Sequence, residues 1–214
     1  MTAELERSHV EEARREKRDR LEALGVSPYA YRYARSHTAA EALALWEDAM
    51  GEEGPEIRVA GRLAGIRTAG KTVFAHVEDV SGRIQVYLRR QDLEPSGLWS
   101  LVDLLDLDDH VGVVGRLFRT RTGEVTVRAV PVAGDGQTPG LMLLSKSLRP
   151  LPRGKVVVQA DGTRQAFSGL TDPEIRYRQR YADLAVHPEV RDVFRLRAAV
   201  IRHCREFLDA RGFL

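Results

Sequence analysis

Between Glu56 and Pro131 the chain alternates apolar and polar residues in short runs punctuated by glycine, a pattern that few folds accept. Glu56–Arg67 and Lys71–Val80 each alternate over part of their length, and Ala69-Gly70 supplies a turn between them. Ser81-Gly82 supplies the next turn, and Arg83–Arg90 follows with Ile84, Val86 and Leu88 on one face. A period of two bounded by glycine turns marks half-buried antiparallel strands, because successive side chains leave a strand on opposite faces. Gly97–Leu107 changes to helical spacing, with Leu98, Leu101, Val102 and Leu105 on one side. His110–Arg119 and Glu124–Pro131 return to strand, joined across Thr122-Gly123.

Three strands, a helix and two strands is the order of a five-stranded OB barrel, whose exposed sheet and loops bind oligonucleotides. The expected fold class is α+β: N-terminal helices over residues 1–55, the barrel over 56–131, a linker with a hairpin over 132–172, and further helices over 173–214. If Val73, Ala75 and Val77 point inward, Phe74 and His76 point outward. An outward Phe74 can stack on a base, since every base has a π-face. Gln85, on the neighbouring strand, can donate and accept at a base edge. Arg67 and Lys71 can meet phosphate or a base carbonyl, and Glu124 can accept from a base amino or imino group. The competing reading of Phe74 is a core residue.

Composition excludes several classes. Thirty-three Lys and Arg against 31 Asp and Glu leave a net charge of +2, too little to argue for nucleic acid by itself. Any such affinity must come from local patches. No apolar run is long enough to span a bilayer, and the charged N-terminus is not a secretory signal. One cysteine, Cys204, excludes an internal disulfide and fits a reducing cytoplasm; no Cys/His spacing suggests a metal site.

Thr2–Leu24 reads as a charged helix with Thr2 as N-cap and Gly25 as C-cap, and with a broken apolar stripe of Leu5, Val10, Ala13, Leu21 and Leu24. Arg14, Arg15 and Arg18 belong to a basic cluster that is either a solvated face or a phosphate-binding surface. The tyrosines of Ser27–Arg35 read as staples between helix and barrel, and Thr38–Met50 as a helix whose Thr38 and Glu41 form a capping box. After a loop from Val132, Leu141–Pro152 reads as a connecting strand and turn, and Lys155–Phe167 as a hairpin about Asp161-Gly162. A helix from Pro173 to Leu184 and a strongly amphipathic one over Glu189–Arg211 complete the chain. The apolar face of that last helix needs a second chain or more sequence to cover it.

Several runs together resemble class II lysyl-tRNA synthetase. They are Ser145–Pro152 (SKSLRPLP), Gly169–Leu184 (GLTDPEIRYRQRYADL), His187 to the end, and the barrel runs GKTVFAHVEDVSGRIQVYLRR and GVVGRLFRTRTGEVTV. The resemblance covers nearly the whole chain in order. It implies that the barrel binds the anticodon loop of tRNA(Lys), that the parent enzyme is a cytoplasmic homodimer, and that it charges tRNA with lysine using ATP and Mg2+. It also implies that Arg67, Phe74 and Gln85 read the central anticodon uridine, and that Glu124 attends the first base. Those four are the residues singled out above on other grounds.

The departures are as informative. Only the helix of the family's first motif is present, and motifs 2 and 3, which carry the ATP-clamping arginines, are absent. Phosphoryl chemistry needs such cationic clamps. No catalytic residue, no metal ligand and no aminoacylation are therefore expected of this chain alone, and neither ATP nor Mg2+ is expected to bind it. The segments Val132–Met142 and Arg153–Phe167 are longer than the family's usual linker. Two alternatives stand beside the synthetase reading: a stand-alone OB module for RNA or single-stranded DNA, and a non-catalytic paralogue.

Overall fold

A computed structural model describes residues 9–47, 51–131, 139–158, 164–167 and 169–213. The chain divides into two compact units, with the boundary between Pro150 and Leu151.

The first unit is built on a closed barrel. Strand β1 (Glu56–Ala69) pairs with β2 (Thr72–Glu78), which pairs with β3 (Arg83–Arg89). Strand β4 (His110–Arg119) pairs antiparallel with β5 (Val125–Ala129), which lies parallel to β3. Closure comes from β1 alone, whose first half pairs with β4 from Glu56↔Arg116 to Arg62↔His110. Its second half pairs with β2, and the register shifts between Leu63 and Gly65 where the strand changes partner. Two glycines permit the close approaches this requires. A Cβ on Gly61 would stand 2.4 Å from the Glu78 carbonyl oxygen, and one on Gly115 would stand 1.9 Å from that of Arg128. Ile57, Val59, Leu63, Val73, Ala75, Val77, Ile84, Val86, Leu88, Val113, Leu117 and Val127 fill the interior. Phe74 and His76 leave β2 on the opposite side from Val73, Ala75 and Val77, as the period of two requires.

Some expectations are met and others are corrected. The segment Gly97–Leu107 is not one helix: within it only α4 (Trp99–Val102) is helical and the rest is turn or irregular, while α3 (Arg90–Leu93) and a 3-10 turn (Glu94–Ser96) precede it. Gly97, in the left-handed conformation at φ 72°, separates α4 from the 3-10 turn. Leu141–Ser145 is a strand as expected, β6, and it takes the length of β4's edge beside His110–Val113 that β5 leaves open. Helix α1 (His9–Ala23) is not held by an apolar stripe: Leu21 is buried, but Val10 and Leu24 are exposed. Arg14 is buried rather than offered to a ligand, and its Nη1 donates to Ser147 O (3.0 Å) and Oγ (3.1 Å). The proposed N-cap Thr2 lies outside the described residues.

Charge takes the place of the missing stripe. Lys146 Nζ is wholly buried and donates all three protons: to Asp109 Oδ2 (2.8 Å), Asp106 Oδ2 (2.6 Å) and Leu104 O (2.8 Å). Lys17 of α1 donates to Asp106 Oδ1 at 2.6 Å, and Ser147 N to Asp109 Oδ1 at 2.8 Å. Burial pushes the Asp106 carboxyl up, but hydrogen bonds from Lys146 and Lys17 outweigh it and hold the group below its ordinary value of 3.8. The stabilisation is therefore present at neutral pH and lost as pH falls through that lowered value.

The connector before β1 covers part of the barrel wall. The Tyr33 ring lies against Gly112 of β4, where a Cβ would come within 2.4 Å of it. Tyr29 bridges to Ser145, while Tyr31 is fully exposed and staples nothing. Helix α2 (Ala39–Ala44) is shorter than expected but opens with the capping box of Thr38 and Glu41.

In the second unit, β7 (Lys155–Val158) and β8 (Arg164–Phe167) form an antiparallel hairpin, whose expected Asp161-Gly162 turn lies outside the described residues. The expected Pro173–Leu184 helix is two, α5 (Pro173–Arg178) and α6 (Arg180–Val186), broken at Gln179 with φ −110° and ψ 53°. Buried Asp183 gathers Arg176 (2.7 Å), Arg180 and His187 (2.9 Å) around it. Helix α7 (Pro188–Asp209) buries none of its residues. Among the described residues no helix is long and apolar enough to cross a membrane.

The Lys146 cluster yields a test. Removing one partner of a buried ion pair strands the other, which costs about 3–5 kcal/mol. Lys146→Met should lower the unfolding free energy of the first unit by about that amount in urea titrations, and the further change Asp109→Leu should restore part of it. An unchanged midpoint for Lys146→Met would show that the cluster holds nothing in place.

Candidate nucleic-acid interface

Strand register decides which side chains share the outer face of the barrel. One row runs Arg67, Phe74, Tyr87, Arg128 and Arg116 across β1, β2, β3, β5 and β4. The next runs Gly65, His76, Gln85, Thr126 and Phe118 across the same strands. Glu124 stands at the head of β5, beside the second row, where the turn closed by Gly123 (φ 91°) leads into the strand. The sheet thus brings Arg67, Phe74, Gln85 and Glu124 onto one face.

Their contacts differ. The Phe74 ring is half-buried and lies 4.8 Å, centroid to centroid, from Tyr87. The Arg67 guanidinium lies 5.5 Å from its centroid, a cation–π distance. Gln85 is buried, and its amide is oriented at both ends: Thr126 Oγ1 donates to Oε1 at 2.8 Å, and Nε2 donates to Glu124 Oε2 at 2.6 Å. Glu124 is exposed, and its Oε1 stands 3.4 Å from His76 Nε2. The Glu124 carboxylate can only accept, so it fixes which way the amide points, and the Thr126 hydroxyl turns its proton to the other end. The face therefore carries an aromatic plate beside a pre-oriented amide and a carboxylate, with an arginine over the plate. Such a set can stack one unpaired base and meet its edge.

The remaining sequence candidates lie elsewhere. Lys71 sits exposed in the β1–β2 turn, where its carbonyl accepts from Arg90 N at 3.0 Å. Arg15 is paired with Glu11 at 2.8 Å and Arg18 with Asp19 at 2.6 Å, both on α1 itself. The hydrogen bond to Asp19 also pushes the Arg18 guanidinium above its ordinary range. Tyr87, Phe118 and Thr126 were not singled out from the sequence. The alternation of β3 puts Tyr87 on the side of Gln85, but the neighbours of Phe118 and Thr126 follow only from the β3–β5 and β4–β5 registers.

Residues 57–130 match the family described as OB-fold nucleic acid binding domain, and residues 172–214 match tRNA synthetases class II (D, K and N). The barrel is thus the part similar to nucleic-acid-binding OB domains, and the last helices are the part similar to class II tRNA synthetases. Similar curated proteins are lysine–tRNA ligases. Those of Pelotomaculum thermopropionicum and Carboxydothermus hydrogenoformans are 42% and 39% identical over 94% and 98% of this chain. That of Roseiflexus castenholzii is 42% identical over 98% of it. The chain spans only 35%, 38% and 39% of the lengths of these three relatives.

Proposed function

We propose that this chain supplies the anticodon-reading part of a lysine–tRNA ligase, and that its own work is recognition rather than chemistry. One observation carries the reading: Arg67, Phe74, Gln85 and Glu124 stand together on the free outer face of an OB barrel. In this reading the central base of the anticodon unstacks and lies on Phe74. Gln85 and Arg67 meet its edge, Glu124 accepts from the neighbouring first base, and Arg67 and Lys71 serve the backbone. Arg14 has no part in it, because its guanidinium is internal.

Lysine activation with ATP and magnesium is proposed for the whole ligase, not for these residues. The described residues offer no convergent group of three His, Cys, Asp or Glu side chains for a metal ion. In the synthetase-like segment, Arg176 and Arg180 are engaged by Asp183 rather than aimed at a phosphate site. A free, exposed Cys204 suits the reducing cytoplasm in which such a ligase would work.

The same reading assigns α7 to an interface between two copies. Val193, Phe194, Leu196, Val200, Ile201, Phe207 and Leu208 are all substantially exposed along it, an apolar stripe that solvent does not favour. Sedimentation should give a concentration-dependent dimer that Val200→Asp with Ile201→Asp converts to monomer. A monomer at all concentrations would remove this part of the proposal.

The recognition reading is tested by titrating the chain with a UUU anticodon stem-loop at fixed salt. Base–aromatic stacking contributes about 1–3 kcal/mol, so Phe74→Ala should weaken binding roughly five- to a hundredfold. Binding equal to the unsubstituted chain would show that Phe74 is no platform.

A further inference from the structure

Rings step across the outer face from Phe74 to Tyr87 at 4.8 Å and on to Phe118 at 5.8 Å. Every base has a π-face, so an aromatic strip flanked by available cations binds single strands of any sequence. The cations beside this strip therefore decide whether the face reads a sequence or merely holds a strand. Arg128 is one of them, in register between Tyr87 of β3 and Arg116 of β4.

Arg128 is engaged within the chain. Its Nη1 donates to Glu53 Oε1 at 2.8 Å, and its Nε stands 3.3 Å from Asp92 Oδ2. Asp92 is also committed to Arg89, whose Nε and Nη2 each donate to it at 2.8 Å. Two arginines thus share two carboxylates, and the set is neutral. At the other end of the row, Arg67 lies over the Phe74 ring and, among the described residues, is held by no carboxylate. Positive charge is available at one end of the face and cancelled at the other.

The Glu53 side chain is not what places its own loop. The loop is stitched to β4 through backbone: Gly54 N donates to Leu117 O at 2.7 Å, and Leu117 N to Pro55 O at 3.2 Å. Gly54 also packs tightly, since a Cβ there would stand 3.1 Å from the Leu117 Cβ. The Glu53–Arg128 pair is itself partly exposed, and such pairs add little to stability. What this carboxylate changes is the charge that the face shows to a ligand.

We propose that Glu53 is a specificity-determining residue, which withholds Arg128 from RNA phosphates so that the face selects by base rather than by backbone charge. The proposal rests on the recognition reading above. A strand whose central base lies on Phe74 and meets Gln85 has one path over the sheet. A strand without that base has no such anchor and can shift until its phosphates reach every available cation. Freeing Arg128 therefore helps the wrong RNA more than the right one.

The test uses the full chain, the UUU anticodon stem-loop, and the same stem-loop with an anticodon lacking the central uridine, each titrated across a salt series. Circular dichroism checks that every variant is folded. For the second RNA, Glu53→Gln should steepen the dependence of log affinity on log salt by about 0.7, the value for one phosphate contact on a single strand. Over the range from 1 M down to 50 mM salt, that slope amounts to a gain of about eightfold. Binding of the UUU stem-loop should change less, so the preference for it narrows. Adding Arg128→Gln to Glu53→Gln should return slope and preference to those of the unsubstituted chain. Glu52→Gln removes the same charge at the neighbouring position and should leave both unchanged. If Glu53→Gln alters neither slope nor preference while Phe74→Ala weakens UUU binding, the proposal is refuted and the recognition reading stands. Equal tightening of both RNAs, an effect that Glu52→Gln reproduces, or one that survives Arg128→Gln also refutes it. If Phe74→Ala is silent, the reading beneath the proposal fails with it.

Discussion

Closure of the barrel depends on one strand that pairs twice. The 14 residues of β1 run antiparallel to β4 over their first half and to β2 over their second. The change of partner needs the register shift at Leu63–Gly65 and a backbone at Gly61 with no side chain in the way. Leu63 sits at the joint, buried, with its N–H donating to Asp109 O at 2.7 Å and its carbonyl accepting from Asp108 N at 2.9 Å. Everything on the outer face follows. Once β1 and β4 are joined, β3 meets β5 in parallel, and only that pairing sets Gln85 against Thr126. The orientation of a single amide is thus a consequence of ring closure.

The walls of the barrel are divided between covering and recognition. The connector with Tyr33, strand β6 and the buried Lys146 cluster occupy the side formed by β4 and the start of β1. The face across β2, β3 and β5 keeps Phe74, Tyr87 and Gln85 on its outer side. Burying Lys146 and Asp109 together would be costly without complete pairing. Here each donor of the ammonium has an acceptor, and the cluster ties α1, the α4–β4 turn and the strand leaving the barrel to one point.

Local periodicity made much of this legible. The strands, their turns and the outward direction of Phe74 all follow from a period of two and from glycine placement, which are properties of a few consecutive residues. The family resemblance then pointed to the same Arg67, Gln85 and Glu124 that the strand pattern had singled out, and gave them proposed roles. What the sequence concealed depends on register between distant segments. Arg14 looked like one of several cations on a helix, and only Ser147, 133 residues away, explains its burial. Leu141–Ser145 was legible as a connecting strand, but nothing local says that its partner is the edge of β4. Gly97–Leu107 looked like one helix because its leucines are spaced for burial, yet Leu101, Leu104 and Leu105 reach the core from a single turn and its continuation. Phe118 joined the aromatic strip by a diagonal contact across β5, which no spacing along the chain encodes.

The central claim is that this face reads one base by its edge as well as by its ring. The most direct measurement compares two anticodon stem-loops that differ only at the central base, uridine or cytidine, at one salt concentration. The pre-oriented Gln85 amide should leave a polar group unmatched against the wrong edge, at a cost of about 1–3 kcal/mol. The account therefore predicts tighter binding of the uridine form by about tenfold, with the preference lost in Gln85→Leu. Equal binding of both stem-loops by the unsubstituted chain would contradict it.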